Sequence, residues 1–261
     1  TLVELVGSLP SVQWVIAGGH DNASSFLLRG TELRHVLLLI DGVRFSSATL
    51  GLASLENLPL DAIERIELVR GPMSALYGSD AVGGVIQVFT RAGAANSPGM
   101  LGASERYSSS LQSTWGSRGY ASTAWLQRWK SPSFDASVQL SGLRSDAFSA
   151  TNAREPWGSF DPDADRFRQS SANAQAGWDI APGLRLDMSA LRVEGRTAID
   201  DGLGTDSRAG LLSQIGQLGL QAQVSKVWHS RIRWSEAVDG YNTIRTALPW
   251  TELGETRSRS Q

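Results

Sequence analysis

Polar and apolar residues alternate along much of the chain between residues 109 and 235. From Phe134 to Ser141, for example, every second residue is apolar and the residues between them are polar. Successive side chains of a β-strand point to opposite faces, so each such segment predicts a strand with one apolar and one polar face. The segments span residues 109–115, 120–130, 134–142, 171–179, 184–190, 217–225 and 231–235.

Two fold classes are built from such strands, the water-soluble sandwich and the transmembrane barrel. The polar faces are rich in Gln, Ser, Arg and Asp, as a wet or plugged interior requires, and Trp residues lie near the ends of the apolar faces. Both features favour a barrel with an outer lipid-facing band.

The predicted connections support the barrel, because short and long ones alternate along the chain. Short turns follow Trp129, Ile180 and Val224, and long loops span residues 145–166, 196–212 and 241–256. Short turns on one side of the sheet and long loops on the other are typical of outer-membrane barrels. About seven complete strands fit the pattern, and we expect an eighth to begin near Arg257.

The first 91 residues have a different chemistry, since only one of the nine Trp residues, Trp14, lies before residue 100. A helical stripe of apolar residues runs over residues 2–9 and is ended by Pro10. The apolar run 36–40 ends in a turn at Asp41-Gly42 and predicts a buried strand. This mixture predicts a small α+β domain, whose core burial is marginal at this size without a surrounding wall.

Three segments of this region carry a family resemblance: LVELVGSLPSV, FLLRGTELRHVLLLIDGVR and LPLDAIERIELVRGPMSALYGSDAVGGVIQVFTR. In them the chain resembles the plug domain of TonB-dependent outer-membrane receptors, and RGT…HVLLLIDGVR is most similar to the cobalamin-receptor branch. The resemblance implies a small α+β plug domain over residues 1–93, a linker over 94–107 and antiparallel transmembrane β-barrel strands over 108–261. These strands would form the first third of a barrel of about 22 strands.

The resemblance also implies a function for the full-length protein, of which this chain is expected to be an internal fragment. It would be a receptor in the outer membrane of a Gram-negative bacterium that binds a scarce nutrient and imports it actively. Cobalamin is the expected ligand, and an iron siderophore or heme is the alternative. The expected partners are outer-membrane lipid and the TonB energy-coupling protein, which would be reached through a segment before Thr1.

The nutrient is expected to bind at the apex of the plug, in two loops next to strand ends that are rich in small and polar residues. Binding there would depend on shape and hydrogen bonds. The candidate ligand-binding residues are Gly18, Gly19, His20, Asp21, Asn22, Ser24, Ser46, Ser47, Thr49 and Leu50.

Arg29 and Arg70 each follow an apolar run and precede a glycine, so each guanidinium is expected to emerge from a nearly buried strand end. A buried arginine needs a carboxylate partner. In the family, arginines at the matching positions face glutamates of the barrel wall and lock the plug in place. Pairing inside the plug, with Glu64 or Glu67, is the alternative.

The predicted loop over residues 145–166 contains Asp161, Asp163 and Asp165 at alternate positions, which offers oxygen ligands for calcium. A solvated acidic loop without a metal is the alternative. The cobalamin receptors have calcium-binding acidic residues in similarly placed loops, and the resemblance adds Asp206 to the candidate set. Ser149 stands where the family would have a further acidic ligand.

Other function classes find little support in the sequence. The formal net charge is −2, which gives no reason to expect nucleic acid as a partner. A hydrolase is the enzyme alternative, but none of the histidines lies in a nucleophile motif, and His35 is expected to be packed among apolar neighbours. A passive porin would lack a folded plug, so the first region argues against it.

Overall fold

The computed structural model describes residues 2–16, 24–46, 55–91, 106–146, 148–149, 151–154, 156, 158, 160–200, 202–204, 207–244 and 253–260. Within these ranges the protein has two parts, here called the plug (residues up to 91) and the wall (residues from 107). No helix in the described part of the chain is long and apolar enough to cross a membrane.

The plug is a mixed α+β unit, as expected. Its elements are α1 (Leu2–Gly7), β1 (Val12–Ile16), β2 (Ser24–Leu28), β3 (Thr31–Glu32), β4 (Val36–Ile40), β5 (Val43–Arg44), β6 (Ile63–Arg70), α2 (Ser74–Tyr77) and β7 (Gly84–Thr90), with 3₁₀ turns at Leu33–His35, Leu55–Asn57 and Leu60–Ala62. Strands β1, β2 and β3 form one sheet, and a second sheet has the order β5-β4-β7-β6. The parallel pairing of β4 with β7 buries all five residues of β4.

The wall is a single sheet of eight strands. Its strands are β8 (Tyr107–Trp115), β9 (Ala121–Lys130), β10 (Phe134–Ser145), β11 (Phe167–Ala181), β12 (Leu184–Ile199), β13 (Ser207–Gln223), β14 (His229–Ile244) and β15 (Leu253–Ser260). They lie in sequence order, and each is antiparallel to the next. The predicted fold class is therefore confirmed.

Several predicted boundaries in the wall were wrong, including that of the loop 241–256, because β14 continues to Ile244. The last strand begins at Leu253 and not near Arg257. The predicted long loop 196–212 is reduced to residues 200–206, because β12 continues to Ile199 and β13 begins at Ser207. Both strands pair in continuous register up to Ile199↔Ser207, so the ladder extends well beyond the alternating segments.

The apolar core of the plug is completed by the wall. Phe26, Leu28 and Ile86 are buried in the plug and belong to the same cluster as Val193 and Ile215 of the wall. A small domain buries a smaller fraction of its surface than a large one, and the wall adds contact area to this core. His35 differs from its expected packing, because it is exposed in the 3₁₀ turn before β4 begins.

Candidate functional site

One short segment of the plug, residues 55–62, lies against the inner face of the wall. Its central residue, Asn57, is fully buried. The Asn57 side-chain nitrogen donates to the Val193 carbonyl of β12 at 3.3 Å and to the Ser213 hydroxyl of β13 at 3.0 Å. A single plug side chain is thus bonded to two neighbouring wall strands.

Two glutamines of the wall donate in the opposite direction, into the plug backbone. Gln139 of β10 donates to the Asp61 carbonyl at 2.8 Å, and Gln169 of β11 donates to the Asn57 carbonyl at 3.1 Å. Residues 55–62 form only short 3₁₀ turns, which leaves some carbonyls without a partner inside the plug. Because buried carbonyls need hydrogen bonds, the wall glutamines complete the bonding of this segment.

Gly195 of β12 makes the close approach of Asn57 possible. A Cβ atom at residue 195 would lie 2.6 Å from Asn57 Oδ1 and 3.4 Å from Leu211 Cβ. The first distance is shorter than a real Cβ contact, and Asn57 is held by its own hydrogen bonds. Glycine at this position therefore gives the plug room to contact the wall.

Asp41 forms a second link between plug and wall at the turn between β4 and β5. Its carboxylate accepts from the Thr90 backbone nitrogen at 2.9 Å, from the Thr90 hydroxyl at 2.7 Å and from Gln175 of β11 at 3.2 Å. Burial raises the pKa of Asp41 above its ordinary value, and the hydrogen bonds from Thr90 and the charge of Arg65 oppose this effect. The turn has positive φ angles at Asp41 and Gly42.

Beside this turn, a cavity of about 340 Å³ separates the plug from strands β11–β14. Polar and charged residues of its lining include Asp41, Gln87, Gln175, Asp187, Gln217 and Arg233. Next to it, Arg185 pairs with Asp135 at 2.5 Å, Asp187 at 2.8 Å and Asp179 at 3.3 Å. The inner face of the wall therefore carries polar and charged side chains around this cavity.

A cluster of carboxylates lies where the loops of two neighbouring wall hairpins meet. One carboxylate oxygen each of Asp163, Asp165 and Asp200 lie within 4.8 Å of one another. Two of the candidate calcium ligands, Asp163 and Asp165, are thus brought together. Asp161 is buried nearby and accepts from the Gly204 backbone nitrogen at 2.9 Å, whereas Asp206 lies outside the described residues.

Asp200 was not among the residues singled out from the sequence. One of its oxygens accepts from Ser149 at 3.1 Å and from the backbone and hydroxyl of Thr151. Its other oxygen is buried and has no hydrogen-bond partner among the residues that the structure describes. The signal in the sequence was the pair Asp200-Asp201 directly after a strand.

Most of the candidate ligand-binding residues fall in the undescribed parts of the plug. Gly18 to Asn22, Ser47, Thr49 and Leu50 lie outside the described residues. Ser24 begins β2, and Ser46 follows β5.

Arg29 and Arg70, the two arginines expected to link the plug to the wall, lie within the described residues, and both are exposed. Arg29 follows β2 with a φ of 51°, and Arg70 ends β6. Within the described ranges neither forms an ion pair, and Glu67 pairs instead with Arg65 at 2.8 Å.

Known proteins share this organisation. Residues 1–85 match the family model of the TonB-dependent receptor plug domain. Over 207 residues the chain is 35% identical to the vitamin B12 transporter BtuB of Photobacterium profundum, in an alignment that covers 78% of this chain and 31% of that protein. It is 51% identical over 90 residues to the vitamin B12 transporter BtuB of Vibrio vulnificus, in an alignment that covers 34% of this chain and 15% of that protein.

Solved structures of larger proteins match both parts of the chain. The copper transporter OprC matches with a TM-score of 0.71 at 14% identity, covering 98% of this chain and 38% of that one. The pyoverdine receptor FpvA of Pseudomonas aeruginosa PAO1 matches with a TM-score of 0.73 at 12% identity, covering 99% and 39%. At these identities the likeness is one of fold.

The chain spans less than a third of the length of the curated relatives, 31% and 15%. Within that span the plug match, the plug-in-wall fold and the transporter relatives agree with one another. In both of its parts the chain therefore resembles the TonB-dependent receptors: residues 1–85 match their plug domain, and the wall has the fold of part of a receptor barrel.

Proposed function

We propose that the full-length protein binds cobalamin at the cell surface and imports it with energy supplied by TonB. The observation that carries this proposal is the identity of 35% and 51% to two proteins named vitamin B12 transporter. The first alignment covers 207 residues, so it extends beyond the plug into the wall.

The geometry supports an importer in which the plug moves or rearranges. Beside the apolar cluster that plug and wall share, the plug is linked to the wall by hydrogen bonds of Asn57, Gln139, Gln169 and Gln175, next to a cavity. Each neutral hydrogen bond contributes only about 0.5–1.5 kcal/mol, so such contacts are exchanged for water at a modest cost. A force applied to the plug would therefore break these hydrogen bonds to the wall one after another.

Titration of the full-length receptor with cyanocobalamin tests the ligand. We expect saturable binding, and uptake by cells that stops when a protonophore discharges the inner-membrane proton gradient. A ferric siderophore and heme serve as the competing ligands. Saturable binding of either one in place of cyanocobalamin would contradict the cobalamin assignment, and uptake that continues after discharge would indicate a passive pore.

We propose further that the plug apex, residues Gly18 to Asn22 with Ser24, Ser46, Ser47, Thr49 and Leu50, contacts the nutrient. We propose that Arg29 and Arg70 pair with carboxylates of wall strands beyond this chain. Their exposure here supports the second proposal, because an exposed guanidinium at the edge of the plug is available to a further strand. Cross-linking of cysteines introduced at residue 70 and on the later strands would locate the partner.

The acidic loop cluster supports a calcium site in the same receptor. Calcium prefers carboxylate oxygens, and Asp163, Asp165 and Asp200 present three of them within 4.8 Å. The buried Asp200 oxygen, which lacks a hydrogen-bond partner among the described residues, fits a cation ligand. Asp161 and Ser149 would hold the loop in place, through the bonds to Gly204 and to the Asp161 carbonyl.

Calcium titration of the full-length receptor tests this site. We expect Asp200→Asn to weaken calcium binding about tenfold or more, since metal sites lose roughly 10–100-fold even when supporting residues change. Asp146→Asn, an exposed carboxylate at the end of β10 outside the cluster, is the matched control. Equal calcium affinities of the two variants would contradict the site.

A further inference from the structure

The cavity of about 340 Å³ between the plug and strands β11–β14 lies toward the periplasmic end of the wall. Three of its wall residues, Gln221, Arg231 and Arg233, are close to the connection between β13 and β14, which spans only residues 224–228. Short turns of outer-membrane barrels lie on the periplasmic side. The cavity is thus on the side where an imported molecule leaves the barrel.

The formal charges of the described lining residues balance one another. Arg231 and Arg233 are the cations, and Asp41 and Asp187 are the anions. Plug and wall add four glutamine side chains, Gln87, Gln175, Gln217 and Gln221. An amide both donates and accepts hydrogen bonds, so this lining suits a neutral ligand that has groups of both kinds.

The two carboxylates of the lining are already engaged within the protein. Asp187 accepts from Arg185 at 2.8 Å, and Asp41 accepts three hydrogen bonds from the plug and the wall. Among the described residues neither carboxylate pairs with an arginine of β14. The arginines of β14 therefore keep N–H groups for a ligand.

Arg233 and Gln217 have bonding capacity left over at this cavity. Arg233 forms no ion pair in the described ranges, and it lies against the plug, where a Cβ atom on Gly42 would come within 2.8 Å of Arg233 Nη1. The side-chain oxygen of Gln217 is buried and has no hydrogen-bond partner in the part of the chain that the structure describes. Because a buried oxygen without a donor costs free energy, it gains from a donor that enters beside it.

These two side chains are near enough to bind one small group together. Arg233 lies opposite Gly219 of β13, and Gln217 is two residues from Gly219 on the same inner face. Diagonal neighbours of this kind are about 7–8 Å apart, within reach of long side chains, and Gly219 places no side chain between them. A primary amide group offers an oxygen to the guanidinium and N–H groups to the glutamine oxygen.

We propose that this cavity is a transit site for the primary amide groups on the rim of a corrinoid ring, with the amide oxygen bonded to Arg233 and the amide nitrogen to Gln217. The inference rests on the proposed function, because cobalamin carries several such amides around its ring, whereas the side groups of heme include carboxylates and no amides. At about 340 Å³ the cavity takes one edge of so large a molecule, as a passing contact requires.

Cyanocobalamin binding to cells that carry the full-length receptor, followed by the initial rate of uptake, tests the proposal. The test variant is Gln217→Leu/Arg233→Met. The control is Gln214→Leu/Arg196→Met, the same two exchanges on the outer face of the wall. Surface binding by the test variant is expected to be unchanged and its uptake about tenfold slower, the factor that corresponds to the loss of one charged hydrogen bond. The control is expected to import as the unchanged receptor does.

Further variants and a second ligand separate amide recognition from structural damage and from phosphate recognition. Arg233→Lys keeps a donor and should retain most of the uptake, and Gln217→Leu alone should slow uptake less than the double variant does. Dicyanocobinamide has the ring amides but no phosphodiester, so the double variant should slow its uptake as well.

The proposal would be overturned if the double variant imported cyanocobalamin at the unchanged rate. It would also be overturned if cyanocobalamin uptake were slowed and dicyanocobinamide uptake were not, because the phosphodiester would then be the group that is recognised. Failure of the unchanged receptor to bind cyanocobalamin would contradict the proposed function itself, and this inference with it. Normal binding together with unchanged uptake by the double variant would contradict this inference alone.

Discussion

The two faces of the wall are made by the same strands and have opposite chemistry. On the inner face Ser137 is 0% exposed and Gln139 2%, although both are polar. On the outer face Met188 is 43% exposed and Leu218 45%, although both are apolar. This inversion of the rule for water-soluble proteins shows that the plug and hydration water are the inner environment and that hydrocarbon is the outer one.

The largest effect is expected when the same charge is placed on either of two neighbouring residues of β13. Leu218→Arg points into the apolar band and is expected to destabilise the full-length receptor by about 2–4 kcal/mol, the usual cost of an arginine at mid-bilayer. Gln217→Arg points into the polar cavity and should change the stability little. Chemical unfolding in lipid vesicles measures the free energy of unfolding of both variants. Equal destabilisation would contradict the difference between the two faces.

The second effect concerns the hydrogen bonds that hold the plug. Asn57→Ala removes the donor for the Val193 carbonyl and the Ser213 hydroxyl, and each buried group left without a partner costs about 1–3 kcal/mol. The expected result is a lower unfolding temperature of the plug and faster proteolysis of it. Ser113→Ala, which removes an exposed hydroxyl contact with Thr123, is the control and should have no such effect.

The third effect compares two glycines on opposite faces of the wall. Gly195→Val would overlap Asn57 and is expected to cost about 1–3 kcal/mol, in the range of overpacked cores. Gly216→Val faces outward, where a Cβ atom would meet no neighbour within 4 Å, and should be neutral or slightly stabilising. Thermal unfolding of both variants decides whether close packing is confined to the inner face.

The smallest effect is a pH dependence at the second plug contact. The pKa of Asp41 is raised in the folded state above 3.8, so folding favours the protonated carboxyl. Its contribution to stability is therefore fully present below that value and is lost as the pH rises through the raised pKa. The measurement is the free energy of unfolding as a function of pH. Asp41→Asn should flatten this dependence near the raised pKa, whereas Asp80→Asn, in the exposed pair with Arg44, should leave it unchanged.

The predictions from the sequence succeeded where one environment covers a whole face of a strand. In residues 134–140 and 172–178 the outward side chains of the paired strands are apolar, and the inward residues face the interior of the wall, so the alternation is regular. Toward the extracellular end of β12, the outward residues Arg192, Glu194 and Arg196 are charged and exposed. Alternation therefore ends before the strand does, which is why the loop 196–212 was predicted too long.

The amino-acid sequence by itself determined the strands, their two faces and the plug, because these depend on the order of polar and apolar residues and on local turn chemistry. Only the tertiary structure decided which residues of different hairpins meet. Asp200 joins Asp163 and Asp165, and Asn57 lies beside Gly195. Antiparallel register also places Arg144, Arg168 and Arg196 directly opposite one another on three strands. The physical reason is that pairing register couples positions far apart in the chain, and no local pattern specifies it.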